Sequence, residues 1–331
     1  MPAGDEARRR GRFPGGSAMA HVAVSVPMGA AMREVRFEGN LVALVTPFRD
    51  GEIDRAALER LVERTIAGGV SALVPCGTTG ESPTLSHAEH DAVVSMVCQP
   101  NAGRVPVIAG AGSNSTAEAV RLTRAASRAG ADAVLSVTPY YNRPSQDGLY
   151  RHFVLIADSS EQPVVLYDIP GRTGVALEIP TIARLAEHPN IRAIKDATGK
   201  LDQVTRIRAV CGLDVLSGDD ASTLSTLAVG GRGVVSVLSN LLPRRMTELC
   251  DLARGEQVEA ARALHDRLHP LMSALFLDTN PVPIKTALAS AGLIGPELRL
   301  PLTSMREAPR AELLRALEPF RPELELARAG G

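Results

Sequence analysis

The chain has 331 residues, 45% of them hydrophobic and 22% charged, the composition of a globular protein with ample core to bury. Its 36 basic and 37 acidic side chains leave a formal charge of -1, which argues against a nucleic-acid partner, because phosphate recognition asks for a basic surface. No apolar run reaches the roughly 18 residues of a membrane-spanning helix, so no membrane partner is expected.

The first 35 or so residues differ from the rest. Arg8, Arg9, Arg10 and Arg12 precede a mildly apolar stretch that His21 and Pro27 interrupt. A secretory signal is one reading of this segment; a disordered tail, or a start placed upstream of Met19, Met28 or Met32, is the better one. From residue 40 onward a rhythm sets in. The apolar run 41–48 (LVALVTPF) leads to Asp54, a candidate N-cap for an amphipathic helix that a glycine pair ends. Next come 71–76 (SALVPC) with a helix over 87–97, then 105–109 (VPVIA) with a helix over 115–129 whose Ser-Thr-Ala-Glu start resembles a capping box. Strands at 133–138, 163–169, 191–195, 213–217 and 233–238 follow. Helices are expected after them near 147–157, 180–187, 201–210, 221–229 and 243–254.

Eight near-continuous apolar strands, each followed by a helix, predict an α/β chain with a parallel sheet buried on both faces. Eight such units in about 215 residues match a closed (β/α)8 TIM barrel over 36–255. A doubly wound open sheet is the alternative, but GAGSNS at 110–115 lacks the dinucleotide fingerprint. Residues 256–331 read as helices broken at 280–283 and 292–301, a C-terminal helical extension that packs on the barrel. The four cysteines, Cys76, Cys98, Cys211 and Cys250, have neither disulfide nor zinc spacing, so no metal is expected.

In a barrel of this kind the reactive groups stand where strands end and the following loops begin. That rim collects the rare residues of the chain: three of its four tyrosines (Tyr140, Tyr141 and Tyr167) and one of its three lysines, Lys195. Lys195 closes a buried strand. Desolvation favours the neutral amine, and a neutral lysine attacks carbonyls to form imines; the plainer alternative is a strand-end lysine that reaches solvent or pairs with Asp196. Lys200 and Lys285, at helix starts, are read as surface or packing residues. The Gly77-Thr78-Thr79-Gly80 loop suits a small carboxylate, although such loops are also common turns. Tyr167 can relay a proton, or be a buried core phenol. Arg172 can clamp a second carboxylate, or be one more surface arginine in an arginine-rich chain.

Taken in order, GTTGES, TPYYNRPSQ, YDIPGRTG, IKDATG, LSGDD and GVVSV closely resemble the dihydrodipicolinate synthase family, within the N-acetylneuraminate lyase superfamily of Schiff-base barrels. The resemblance runs from about residue 36 to about residue 325 and includes NPVPIK and LRLPLT. It implies a lyase of class I aldolase type in which pyruvate forms an imine with Lys195 and then attacks L-aspartate 4-semialdehyde. This is a step of the diaminopimelate route to lysine. Thr78, Tyr167 and Tyr141 match the proton relay, Tyr141 serving a neighbouring subunit. Thr79, Val235 and Gly218 match the pyruvate pocket, and Arg172 the mouth that orients the semialdehyde. Ser82, His87, His90, Asn114, Glu118 and Tyr140 match a separate site for feedback inhibition by L-lysine. A cytoplasmic homotetramer, a dimer of dimers without organic cofactor, is implied as well. The chain departs from the family pattern at Asp168, where Asn is common, and at Gly171, where Ser is. A sugar-acid aldolase or dehydratase is the other enzyme the pattern admits, and a barrel that has lost catalysis and only binds pyruvate or lysine is the non-enzymatic alternative.

Overall fold

The structure, a computed structural model, describes residues 35–329, so the tail expected over 1–35 lies, but for its last residue, outside the described residues. Eight strands form one parallel sheet: β1 (Gly39–Ala43), β4 (Ala72–Val74), β5 (Ile108–Gly110), β6 (Ala133–Val137), β7 (Val164–Asp168), β8 (Ile191–Asp196), β9 (Asp214–Ser217) and β10 (Gly233–Ser236). Their order, β4-β1-β10-β9-β8-β7-β6-β5, brings the sheet round on itself. The remaining seam between β4 and β5 is held by a bridge from Leu73 to Val107 and by Gly110 N–H donating to the Pro75 carbonyl at 2.9 Å. This is the expected (β/α)8 barrel.

Strand side chains alternate, and a closed sheet turns that alternation into inside and outside. Leu41, Ala43, Ala72, Val74, Ile108, Leu135, Val165, Tyr167, Ala193, Leu216 and Val235 form one buried cluster, the barrel interior. Their strand neighbours Val42, Leu73, Ala109, Val134, Leu166, Ile194 and Val234 belong to the larger cluster between sheet and helices. Both faces are apolar, which is why the strands read as continuous apolar runs.

The first expected strand is shorter than its apolar run. β1 stops at Ala43, and 48–53 folds back as a small antiparallel ribbon of β2 (Phe48–Arg49) and β3 (Glu52–Ile53). Pro47 cannot donate to a ladder. The Val45 N–H is taken by the side chain of Asn240, whose Nδ2 in turn donates to the Ala43 carbonyl at 2.8 Å. Helix starts follow local chemistry. Asp54 caps α1 (Arg55–Ala67) through the Ala57 N–H, and Ser86 and Glu89 form a full capping box on α2 (His87–Asn101). At α3 (Thr116–Arg128) Ser115 accepts from the Glu118 N–H, but the Glu118 carboxylate turns away to Ser113 and His87, so the box suggested by Ser-Thr-Ala-Glu is only half made. The helices α4 (Gln146–Asp158), α6 (Ile179–Ala186), α7 (Leu201–Val210), α8 (Thr223–Ala228) and α9 (Pro243–Arg254) complete the ring, with a single turn α5 (Pro170–Thr173) after β7.

Beyond the ring run α10 (Val258–Ala274), α11 (Val282–Ser290), α12 (Glu307–Leu317) and α13 (Arg321–Ala329). The helix α10 packs against α9 and α12, and α11 against α12 and the turn at 238–240 after β10. Asn240 thus sits at a seam, fully buried, serving the backbone of Ala43, Val45 and Val237 at once. Asn240→Ala would strand the Val45 N–H and the Ala43 carbonyl. The expected loss is about 2–4 kcal/mol of stability, read as a lower urea midpoint with an unchanged slope.

Candidate active site

The inner face carries two polar side chains at the same level. Tyr167 on β7 is register-paired with Lys195 on β8, and the Lys195 Nζ lies 4.1 Å from the Tyr167 ring centroid. Lys195 is only 6% exposed. Asp196 follows on the outer face, where its carboxylate accepts from the Thr198 N–H at 3.0 Å. Among the described residues no carboxylate pairs with Lys195, so the alternative of a strand-end ion pair with Asp196 does not hold.

Beside this pair opens a cavity of about 340 Å³, within the size of small-molecule sites. Gly77, Thr78, Tyr167, Ile169, Arg172 and Thr173 line one part of it, while Ser82, His87, His90, Glu118 and Tyr140 line another. Thr78, Tyr167 and Arg172 of the expected catalytic and substrate-binding set thus share one cleft with most of the expected effector residues, while Lys195, Thr79, Val235 and Gly218 are not among its lining residues. His87 Nε2 meets Glu118 Oε1 at 2.7 Å, and Ser113 donates to the other carboxylate oxygen. The Ser113 hydroxyl, followed by His87, holds the Glu118 carboxyl below its usual range. His90 is buried, its Nε2 2.8 Å from the Gly110 carbonyl. Gly110 admits nothing larger, since a Cβ there would stand 2.1 Å from the Cys76 carbonyl oxygen; that close approach accounts for the first glycine in GAGSNS. Asn114 does not line the cleft; its carbonyl accepts from Asn142 Nδ2 at 2.9 Å.

The threonine loop is a tight turn. The N–H groups of Gly80 and Ser82 bond to the Gly77 carbonyl and that of Glu81 to the Thr78 carbonyl, at 3.1–3.3 Å. The Gly80, Glu81 and Ser82 amides are thereby spent, which leaves those of Gly77, Thr78 and Thr79 to receive a carboxylate, a narrower role than the whole loop suggested. Thr79 is buried, and its hydroxyl accepts from Asn280 Nδ2 at 2.9 Å. The Asn280 carbonyl accepts from Arg172 Nη2 at 3.1 Å, so one residue from the start of α11 touches both expected carboxylate-binding side chains. Sequence reasoning gave Asn280 no role; the break in helical pattern at 280–283 and its place at the head of NPVPIK were its traces.

Val235 is buried on the inner face near Tyr167. Gly218 donates its N–H to the Asp196 carbonyl at 2.7 Å, and a Cβ there would press on Ala197 at 2.6 Å. The turn after β10 is pinned by buried Asp220, which accepts from Ser236 Oγ at 2.5 Å and from the N–H groups of Val237 and Leu238. Tyr141 stands apart from the cavity, 91% exposed and held at φ 72. Of the other lysines, Lys200 is exposed at the start of α7, as expected. Lys285 corrects the expectation of a surface or simple packing role. It is fully buried and ion-paired with Glu81 at 2.5 Å, because α11 packs directly over the threonine loop.

The Dihydrodipicolinate synthetase family profile matches residues 36–319. A 4-hydroxy-tetrahydrodipicolinate synthase of Pelobacter propionicus is 51% identical over 286 residues, 86% of this chain and 99% of that protein. The chain belongs to this family. Among solved structures, a chloride-inhibited dihydrodipicolinate synthase from Acinetobacter baumannii complexed with pyruvate superposes with a TM-score of 0.83 at 45% identity, over 86% of this chain and 98% of that one. One from Cyanidioschyzon merolae with lysine bound gives 0.83 at 40% identity, over 87% and 99%. The chain is accordingly a lyase with the family's activity, 4-hydroxy-tetrahydrodipicolinate synthesis, and the sugar-acid alternative is not favoured.

The departure from the family pattern at Asp168 has a physical cost. Asp168 is fully buried on the outer face; one carboxylate oxygen accepts from the Leu177 N–H at 3.2 Å and the other has no partner. Burial pushes its carboxyl up to about 7, with its strand neighbour Asp196 adding to the rise. A carboxyl raised in the folded state keeps a proton that the unfolded chain has already lost. Its contribution to stability therefore falls as pH rises from about 4 toward about 7, and is constant above. Asp168→Asn keeps the acceptor and abolishes the titration. The variant should melt several degrees above wild type at pH 8, with the gap closing as pH falls to 4; a gap independent of pH would rule this out.

Proposed function

We propose that the cleft condenses pyruvate with L-aspartate 4-semialdehyde through an imine on Lys195. The observation that carries this reading is the register pairing of Lys195 and Tyr167 on the inner face, beside a cavity edged by Thr78 and Arg172. A buried amine without a carboxylate partner is a nucleophile for a ketone. In the proposed sequence the Lys195 Nζ adds to the pyruvate carbonyl carbon and water leaves, giving the imine. Loss of a methyl proton gives the enamine, whose carbon forms the new bond to the aldehyde carbon of the semialdehyde. The substrate's own amine then attacks the imine carbon, closes the ring and releases Lys195. Tyr167 and Thr78, with Tyr141, relay the protons. The Thr78 and Thr79 amides receive the pyruvate carboxylate, with Val235 and Gly218 shaping the pocket, and Arg172 clamps the carboxylate of the semialdehyde. Each step uses an amine, a hydroxyl or a phenol, so the chemistry asks for no organic cofactor.

Tyr141 supports a shared site. An aromatic side chain 91% exposed on a left-handed backbone is poorly placed to serve its own Lys195 and well placed to enter the cleft of a second copy. This fits the homotetramer implied by the resemblance, with the enzyme acting in the cytoplasm on a barrel over 36–255 to which the C-terminal helices are accessory. The effector half of the cleft fits an amino acid. Glu118, ionised and flanked by His87, can pair with an ammonium, and Tyr140 and Ser82 offer hydroxyls. The lysine bound in the Cyanidioschyzon merolae relative supports L-lysine as that ligand.

Borohydride reduction in the presence of pyruvate should add a single stable adduct at Lys195, located by peptide mass mapping. An adduct on Lys200 or Lys285, or near wild-type turnover in Lys195→Ala, would sink the mechanism. L-lysine titrated into the assay at saturating pyruvate should lower the rate, and Glu118→Ala should weaken that inhibition at least tenfold, the order of a charge-assisted pair. Inhibition unchanged in Glu118→Ala would remove Glu118 from the effector site.

A further inference from the structure

Glu81 stands two residues beyond Thr79, and its backbone adopts φ 53, a left-handed conformation that glutamate enters only under constraint. Its side chain is fully buried, as is that of Lys285. Lys285 Nζ donates to Glu81 Oε1 at 2.5 Å and to the Thr46 carbonyl at 3.0 Å, and lies 4.3 Å from the Phe48 ring centroid. The second carboxylate oxygen of Glu81 accepts from the Arg299 N–H at 3.1 Å. Thr46 Oγ1 donates to the Gly80 carbonyl at 2.8 Å. The segment between Thr79 and Ser82 is thus tied at its centre to the stretch after β1, to α11 and to the loop before α12, through Glu81 and Lys285 side chains that are both fully buried.

A buried ion pair is a poor device for stability, because desolvating both charges offsets their attraction. It is an effective device for geometry, since each charge satisfied at one place is strongly unfavourable anywhere else. We propose that the Glu81–Lys285 pair is a positioning device for the reaction: it fixes the threonine loop so that the Thr78 and Thr79 amides and the Thr79 hydroxyl meet the pyruvate carboxylate. The pair itself touches no substrate. The proposal rests on the reading that these threonines hold pyruvate.

The double variant Glu81→Gln with Lys285→Met removes both charges, keeps the volume and leaves no unpaired buried ion. It is expected to melt within a few degrees of wild type while its pyruvate KM rises about tenfold or more, the order expected when a hydrogen bond to a charged group is misplaced. The semialdehyde KM, which depends on Arg172, should move less. Glu81→Asp keeps both charges but shortens the tether by one methylene, and should raise the pyruvate KM severalfold; it decides the matter if the double variant does not fold. A folded variant with wild-type pyruvate KM, or a KM that recovers in step with the melting temperature, overturns the positioning role. Thr79→Val is the reference. A raised pyruvate KM in Thr79→Val beside an unchanged one in the double variant overturns the positioning role alone. An unchanged KM in Thr79→Val overturns the part given to the Thr79 hydroxyl, and an unchanged KM in the double variant as well overturns the positioning of the amides with it.

Discussion

Closure of a parallel sheet converts the alternation of strand side chains into a strict division between an inner and an outer face, and the site is a consequence of that division. Tyr167 and Lys195 occupy matching inner positions on neighbouring strands, so their register alone brings phenol and amine together. The same register sends the next pair, Asp168 and Asp196, to the outer face. One residue of slip would exchange the Lys195 amine of β8, or the Tyr167 phenol of β7, for a carboxylate. The family's chemistry therefore depends on register more than on any single contact.

The outer face is where this chain bears its electrostatic cost. Asp168 is buried and Asp196 half-buried behind β7 and β8, and burial raises both carboxyls above their usual range. Asp220, behind β9 and β10, is likewise raised by burial, to about 6, although Ser236 and two backbone N–H groups oppose the shift. Its hydrogen bonds hold the turn that follows Val235. Buried carboxylates of this kind stabilise little and specify much: each tolerates few alternative positions for the loop it holds.

The C-terminal helices extend the same logic to the rim. Asn280 reaches Thr79 and Arg172, Lys285 reaches Glu81 and Thr46, and the Arg299 backbone closes on Glu81. A barrel without them would present its threonine loop to solvent with a buried-type carboxylate unpaired. The helical extension is in this sense part of the site, although none of its residues needs to take part in the chemistry proposed for Lys195.

The sequence by itself determined the barrel, since eight apolar runs with intervening amphipathic helices admit few other parallel arrangements, and it marked the rim, because three of the four tyrosines and one of the three lysines fell at strand ends. The place of Lys195 was legible for a local reason: strand burial is written in the residues on either side of it. Lys285 and Asn280 were not legible, because nothing in their own neighbourhoods says which loop they will meet across more than 200 positions of chain, as the contacts of Lys285 with Glu81 and of Asn280 with Thr79 do. The half-made cap at Ser115 was misread for the same reason, Glu118 being drawn to His87 and Ser113 by tertiary packing instead of to its own helix start. Local pattern decides which residues are buried and on which face; only the closed fold decides which buried charge meets which, because long-range partners are set by packing of whole elements.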